Sequence, residues 1–201
     1  LQKMIPSRGP LASLVGKLVP LVPDRLMARF VRRLLVTWQH PEDALLEDGA
    51  ILLNEDGERF CDERLSPERE IAIAAQPGKR CFLLLDEALI SRYSAWPQFI
   101  STAPRIAYAY VDDYLRLRPD VAVAGRLEEV TDRRGLPSAA VRAVIDAVNV
   151  ERGDVGVLPH LAGKRWALLG PAKAYFTTTE GGVAIDQEFR ALDVAGDPIR
   201  G

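Results

Sequence analysis

The chain has 201 residues, 48% of them hydrophobic and 27% charged, which is enough to bury a sizeable core in one large domain or two small ones. Its 26 basic and 28 acidic residues leave a net charge of −2, excluding the broad basic field that drives nonspecific nucleic-acid binding. Two cysteines and two histidines without ligand spacing exclude a disulfide framework and a structural zinc site, and fit a reducing cytoplasm.

Residues 1–23 are apolar but interrupted by Pro6, Pro10, Pro20 and Pro23, so they have neither the unbroken run of a membrane span nor a signal-peptide layout, and the chain reads as soluble. The stretch "DRLMARFVRRLL" interleaves Arg25, Arg29, Arg32 and Arg33 with Leu26, Phe30, Val31 and Leu34. It reads as an amphipathic helix over 24–36 whose arginines line a solvated face, membrane-surface contact being the other reading. In "GAILLNEDGERF" the Asp56-Gly57 pair between apolar segments predicts a hairpin with strands over 50–54 and 58–61, because the turn needs a positive φ that glycine supplies.

"SPEREIAIAA" predicts a helix with Ser66 as N-cap and Pro67 at its first position, ended by Gln76-Pro77-Gly78. "CFLLLD" is too short for an independent helix and reads as a buried strand. Over 102–117 the spacing of Ile106, Tyr110 and Tyr114, with Ala107 and Val111 beside them, predicts one helical face. "VAVAG" predicts a short strand, followed by a helix over 127–133, a stop at Gly135 and a helix opened by Pro137 and Ser138, with Val141, Val144, Ile145 and Val148 as its buried stripe. From Lys164 on, "RWALLG", "AKAYFTT", "GVAID" and "RALDV" predict strands. The fold class expected is α+β, a mixed or antiparallel sheet from both ends of the chain around a helical middle.

No G-x-G-x-x-G or G-x-x-x-x-G-K-[ST] is present, and neither is H-E-x-x-H, G-x-S-x-G or C-x-x-C. The residues alone therefore describe a soluble α+β domain without a complete catalytic set. They leave open a non-catalytic small-molecule-binding or protein-interaction module.

Four stretches, in order, carry a resemblance. "GAILLNEDGERFCDE", through Gly49, Ala50, Ile51, Leu52, Asn54, Gly57, Arg59, Phe60 and Glu63, resembles the segment that opens the capping domain of fumarate reductase and succinate dehydrogenase flavoproteins, a family that includes ketosteroid dehydrogenases. "CFLLLD" and "GLPSAAVRAVIDAVN" are similar to the inner strand of that cap and to its helix ending in asparagine. "TTEGGVAIDQEFRALDVAGDPIRG", through Thr179, Gly181, Gly182, Asp186, Leu192, Gly196, Pro198, Ile199 and Gly201, resembles the return from the cap to the FAD domain.

The resemblance implies a division into 1–48, a helical linker from an FAD domain outside this sequence, 49–176, the cap, and 177–201, the return segment. It implies an FAD-dependent oxidoreductase in which hydride passes to or from flavin N5 while the cap binds a small-molecule substrate. The partner implied is the remaining FAD-binding domain of the same protein, with the isolated chain inactive and unable to hold FAD tightly. No nucleic acid, metal or integral membrane segment is implied.

In fumarate reductases an arginine just beyond Arg-Phe-x-x-Glu donates the proton; Pro67 falls at that position, with Arg64 and Arg69 to either side. The family's substrate-binding histidine falls on Thr178, whose hydroxyl supplies no cationic clamp. That departure favours ketone-directed branches, in which a tyrosine hydroxyl polarises the carbonyl, and Tyr175 is the candidate by position. The expected site is therefore Arg64, Arg69 and Tyr175 as catalytic candidates, with Thr178, Thr179, Glu180, Gly181 and Gly182 facing substrate or flavin. Plainer roles stand beside these: Arg59 paired with Glu63, Asn54 closing the hairpin, His40 on the surface, Tyr175 packed on a sheet, Arg69 a solvated helix arginine.

Overall fold

The computed structural model describes residues 22–38, 41–174 and 182–199. Among the described residues, seven α-helices and two antiparallel sheets make an α+β fold. The elements in chain order are α1 (Asp24–Trp38), α2 (Asp43–Glu47), β1 (Ile51–Leu53), α3 (Glu68–Ala75), β2 (Cys81–Leu85), α4 (Glu87–Arg92), β3 (Ser101–Ala103), β4 (Ala107–Ala109), α5 (Val111–Leu117), β5 (Ala122–Gly125), α6 (Leu127–Arg134), α7 (Ser138–Val155) and β6 (Trp166–Ala172). No helix among the described residues is long and apolar enough to cross a membrane.

The main sheet runs β1-β2-β6-β5, and every pairing is antiparallel. Its inner strand β2 is the run "CFLLL", buried at all five positions, as a strand covered on both faces must be. Leu84 lies opposite Ile51 on one side and Leu168 on the other, and all three are essentially inaccessible to solvent. The helix α7 covers the core with Val141, Ile145 and Val148, the stripe its spacing predicts, and Val144 packs beside them. Gly135 and Gly156 end α6 and α7 in left-handed conformation, which a residue without Cβ adopts without strain. The family-like asparagine of α7, Asn149, exchanges two hydrogen bonds with the backbone of Leu161, at 2.9 and 2.7 Å, and so pins the chain leading into β6.

Four expectations need correction. Residues 58–61 form no strand; the pairing is a single bridge between Leu53 and Arg59. The reason is local. The Asn54 side-chain oxygen accepts the amides of Asp56 and Glu58, tightening the turn, and Glu63 Oε1 accepts the Leu52 amide at 2.9 Å. A buried carboxylate thus occupies the edge of β1 where a second strand would have paired.

The helix over "EREIAIAA" starts at Glu68, with Pro67 as the N-cap and no side-chain cap. The Arg69 amide, in the first turn, donates to the Leu65 carbonyl at 2.7 Å. The single helical face over 102–117 is instead the ribbon β3–β4 followed by α5. Pro104 biases Ala103 towards extended backbone, Arg105 takes a positive φ at the turn, and Ile106 is exposed at its tip. This ribbon lies against α1 and carries a ring cluster of Trp96, Phe99 and Tyr108.

Past β6, the strands expected over "GVAID" and "RALDV" are reduced to two isolated bridges, Ile185 to Ala191 and Leu192 to Pro198. Asp186 accepts the amides of Glu188 and Arg190, and Asp193 those of Ala195 and Asp197, so each short segment closes on itself as an Asx turn. Most of "AKAYFTT" lies outside the described residues, as does His40.

Candidate functional site

The turn after β1 presents Arg59 to Glu63, four residues on. Arg59 Nε donates to Glu63 Oε1 at 3.0 Å and Nη2 to Oε2 at 2.8 Å, while Nη1 reaches Glu151 on α7 at 2.8 Å. The hydrogen bond to Glu63 is the main reason that the Arg59 guanidinium holds its proton more tightly than usual. This two-point fork ties the hairpin both to its own edge strand and to α7.

Between hairpin and helix lies a small cleft of about 70 Å³, lined by Gly49, Arg59, Glu63, Arg64, Glu151 and Arg152, with Leu46, Val148 and Val155 as apolar wall. The groove continues along α7 past Val144 and Ala147.

Arg64 borders this cleft and is half exposed. Its partner is Asp62, at 3.0 and 2.9 Å, and that bond holds the Asp62 carboxyl down to about 2. Arg69 is different from the solvated helix arginine considered above: it is 8% exposed. Its Nε donates to Glu70, Nη1 to the Glu63 carbonyl at 2.9 Å and Nη2 to Asp43 at 2.8 Å. Burial pulls its pKa down, but the bonds to Glu70 and Asp43 more than offset this. Arg64 and Arg69 thus flank one hairpin foot, the first open to the cleft and the second locked into the α2–α3 junction.

Tyr175, Thr178, Thr179, Glu180 and Gly181 lie outside the described residues. Gly182 is described, and nothing lies within 4 Å of where its Cβ would be.

Arg152 is the residue that sequence reasoning missed. It lies eleven residues after Val141, on the buried stripe of α7, and is 8% exposed. The stripe read one turn further would have found it. Its guanidinium donates to the carbonyls of Gly49 at 2.6 Å and Pro159 at 2.9 Å. A Cβ on Gly49 would stand 3.1 Å from Nη1, and Gly49 has a φ of +111°, so glycine is required there twice over.

No protein-family model and no curated protein matches the sequence. Solved structures do share the fold. A flavocytochrome c3 fumarate reductase in its open conformation matches 80% of this chain with a TM-score of 0.53 at 20% identity. A 3-ketosteroid delta1-dehydrogenase from Sterolibacterium denitrificans, in complex with 1,4-androstadiene-3,17-dione, matches 76% with a TM-score of 0.52 at 19% identity. The chain spans 29% of the first protein and 32% of the second. Both neighbours are oxidoreductases, a fumarate reductase and a dehydrogenase, and this fold is shared with a part of each.

The cleft of about 70 Å³ holds a few waters, for which about 10–15 Å³ each suffices, and the adjoining groove along α7 adds about 360 Å³ open to solvent.

Proposed function

We propose that this chain is the capping domain of an FAD-dependent oxidoreductase, closing over a flavin held by a separate domain of the same protein and helping to bind a small-molecule substrate. The observation that carries this reading is the state of residues 182–199. Val183, Ile185, Phe189, Val194 and Ile199 are all exposed, and among the described residues the hydrogen bonds of the segment run within it. Soluble chains seldom leave so many large apolar groups in one short stretch without a covering surface. The family-like return segment would have that surface on the flavin domain. The shared fold with two oxidoreductases, and four family-like stretches in family order, support the same reading.

In this reading the hairpin tied by Arg59 and Glu63 is scaffold, and Arg64 and Arg69 are the candidate proton donors beside it. Arg64 is the freer of the two, since its one partner among the described residues is the neighbouring half-buried Asp62. Arg69 would have to leave Asp43 and Glu70. Tyr175 is the candidate for polarising a ketone, and Thr178, Thr179, Glu180, Gly181 and Gly182 would face substrate or flavin. The cap would exclude water and hold the substrate at a fixed angle.

The test is purification of the polypeptide encoded by the complete gene alongside the isolated chain. The longer product is expected to carry bound flavin and the isolated chain to be colourless and inactive. A longer product without flavin overturns the proposal. Within it, Arg64→Gln and Arg69→Gln separate the donors: loss of turnover in one and not the other identifies the acid, and unchanged turnover in both removes a cationic acid from the mechanism.

A further inference from the structure

Burying an ionised group is costly unless a counter-charge or good hydrogen bonds accompany it. Arg59, Arg64 and Arg69 each follow this rule with a carboxylate at 3.0 Å or less. Arg152 departs from it. It is more than nine-tenths buried, and among the described residues no carboxylate lies within ion-pairing distance. Two of its five N–H donors go to the Gly49 and Pro159 carbonyls, which leaves donor capacity at the cleft it lines.

The carboxylates at that cleft are committed elsewhere. Glu63 accepts the Leu52 amide and the Arg59 fork. Glu151 is 57% exposed on its side chain and holds a single bond to Arg59 Nη1. Asp62 serves Arg64.

We infer that the cleft between Gly49, Arg59, Arg64 and Arg152 is a binding site for one compact oxyanionic group, a phosphate or carboxylate, which would give Arg152 the direct ion pair it lacks among the described residues. A fully charged guanidinium with free donors recognises such a group by paired, charge-assisted hydrogen bonds. The volume of about 70 Å³ suits a group of this size. Burial lowers the pKa of Arg152, with the charge on Arg59 acting in the same direction, while Glu63, Asp86 and Glu151 raise it from beyond ion-pairing distance, and a bound anion would add to their effect. Glu151 would then be the internal competitor. It repels an incoming anion and occupies the one Arg59 nitrogen that could turn to it. The site does not depend on the capping role proposed above, and it would persist if that role failed.

The experiment titrates the 201-residue chain with inorganic phosphate and, separately, acetate, at constant ionic strength balanced with chloride, reading the thermal midpoint and the Arg Nε–H resonances by NMR. A ligand that binds only the folded state raises the midpoint with concentration. The wild type is expected to respond, and Glu151→Gln to bind several-fold more tightly. Arg64→Gln and Arg152→Gln should each weaken binding by about tenfold, the scale of one charge-assisted hydrogen bond. A response to phosphate alone assigns a phosphorylated ligand, and a response to both anions assigns the oxyanion class in general. No response to either anion overturns the inference. So does an identical response in wild type, Glu151→Gln and Arg64→Gln, two exposed positions whose replacement leaves the core intact. Should Arg152→Gln fail to fold, those two variants decide alone.

Discussion

The sheet β1-β2-β6-β5 and the segment 182–199 contain the same kinds of residue and treat them in opposite ways. In the sheet, Ile51, Leu84 and Leu168 stack across three strands and lose all contact with water. In the later segment Val183, Ile185 and Phe189 remain exposed while aspartate side chains hold the turns. The first region is stabilised by burial, and the second by local hydrogen bonding worth little net free energy. What separates them is whether a second layer is present. A short apolar segment reads alike in both settings until its covering surface is known.

The comparison is broken most directly at its buried end. Leu84→Ala should destabilise the chain by about 4 kcal/mol, since the site is enclosed by strands on both sides and cannot collapse. Urea unfolding followed by circular dichroism measures this, and a loss below about 1 kcal/mol would mean that the sheet is not the core. Glu63→Ala comes next, at about 3 kcal/mol, because it leaves the Leu52 amide without an acceptor and Arg59 without its fork. Retention of full stability in that variant would show that β1 does not need its carboxylate edge.

Those two sites differ in how far the sequence announced them. The strand β2 and the stripe of α7 were legible because burial on two faces or on one helical face leaves a periodic mark. The Asp-Gly turn and the Arg59–Glu63 pairing were legible because their spacing is local. The ribbon β3–β4 was not, since Ile106, Tyr110 and Tyr114 happen to fall at helical spacing while Pro104 sets the real conformation. The edge role of Glu63 on Leu52 and the junction of Arg69 with Asp43 were hidden too. Both depend on residues 11 and 26 positions apart that only the fold brings together.

A smaller effect follows from the two thiols packed near the foot of the same hairpin. Burial raises Cys81 to about 12 and Cys61 to about 11. An unfolded thiol ionises near pH 8.5, so above that pH the unfolded state has released a proton that the folded state still holds. Stability from these groups is therefore complete below about pH 8.5 and falls as pH rises towards the folded values, at about 1.4 kcal/mol per pH unit for each thiol. Thermal midpoints measured at increasing alkaline pH should fall accordingly, and Cys81→Ala should flatten the slope. A flat wild-type profile would mean that both thiols are solvated.

The smallest effect is expected at the exposed end, and there a null result is the informative one. Phe189 is 83% exposed and has a φ of +63°, a conformation that suits glycine better than an aromatic residue. Its turn is held by the Phe189 amide on the Asp186 carbonyl and the Arg190 amide on the Asp186 side chain, contacts that need no side chain at position 189. Phe189→Gly should therefore change the unfolding free energy of the isolated chain by less than about 0.5 kcal/mol. If the chain caps a flavin domain as proposed, the same substitution in the product of the complete gene should lower flavin retention, because the ring would be covered there. A loss in the isolated chain comparable to that of Leu84→Ala would show that the segment already packs on its own core, and would erase the contrast between the two regions.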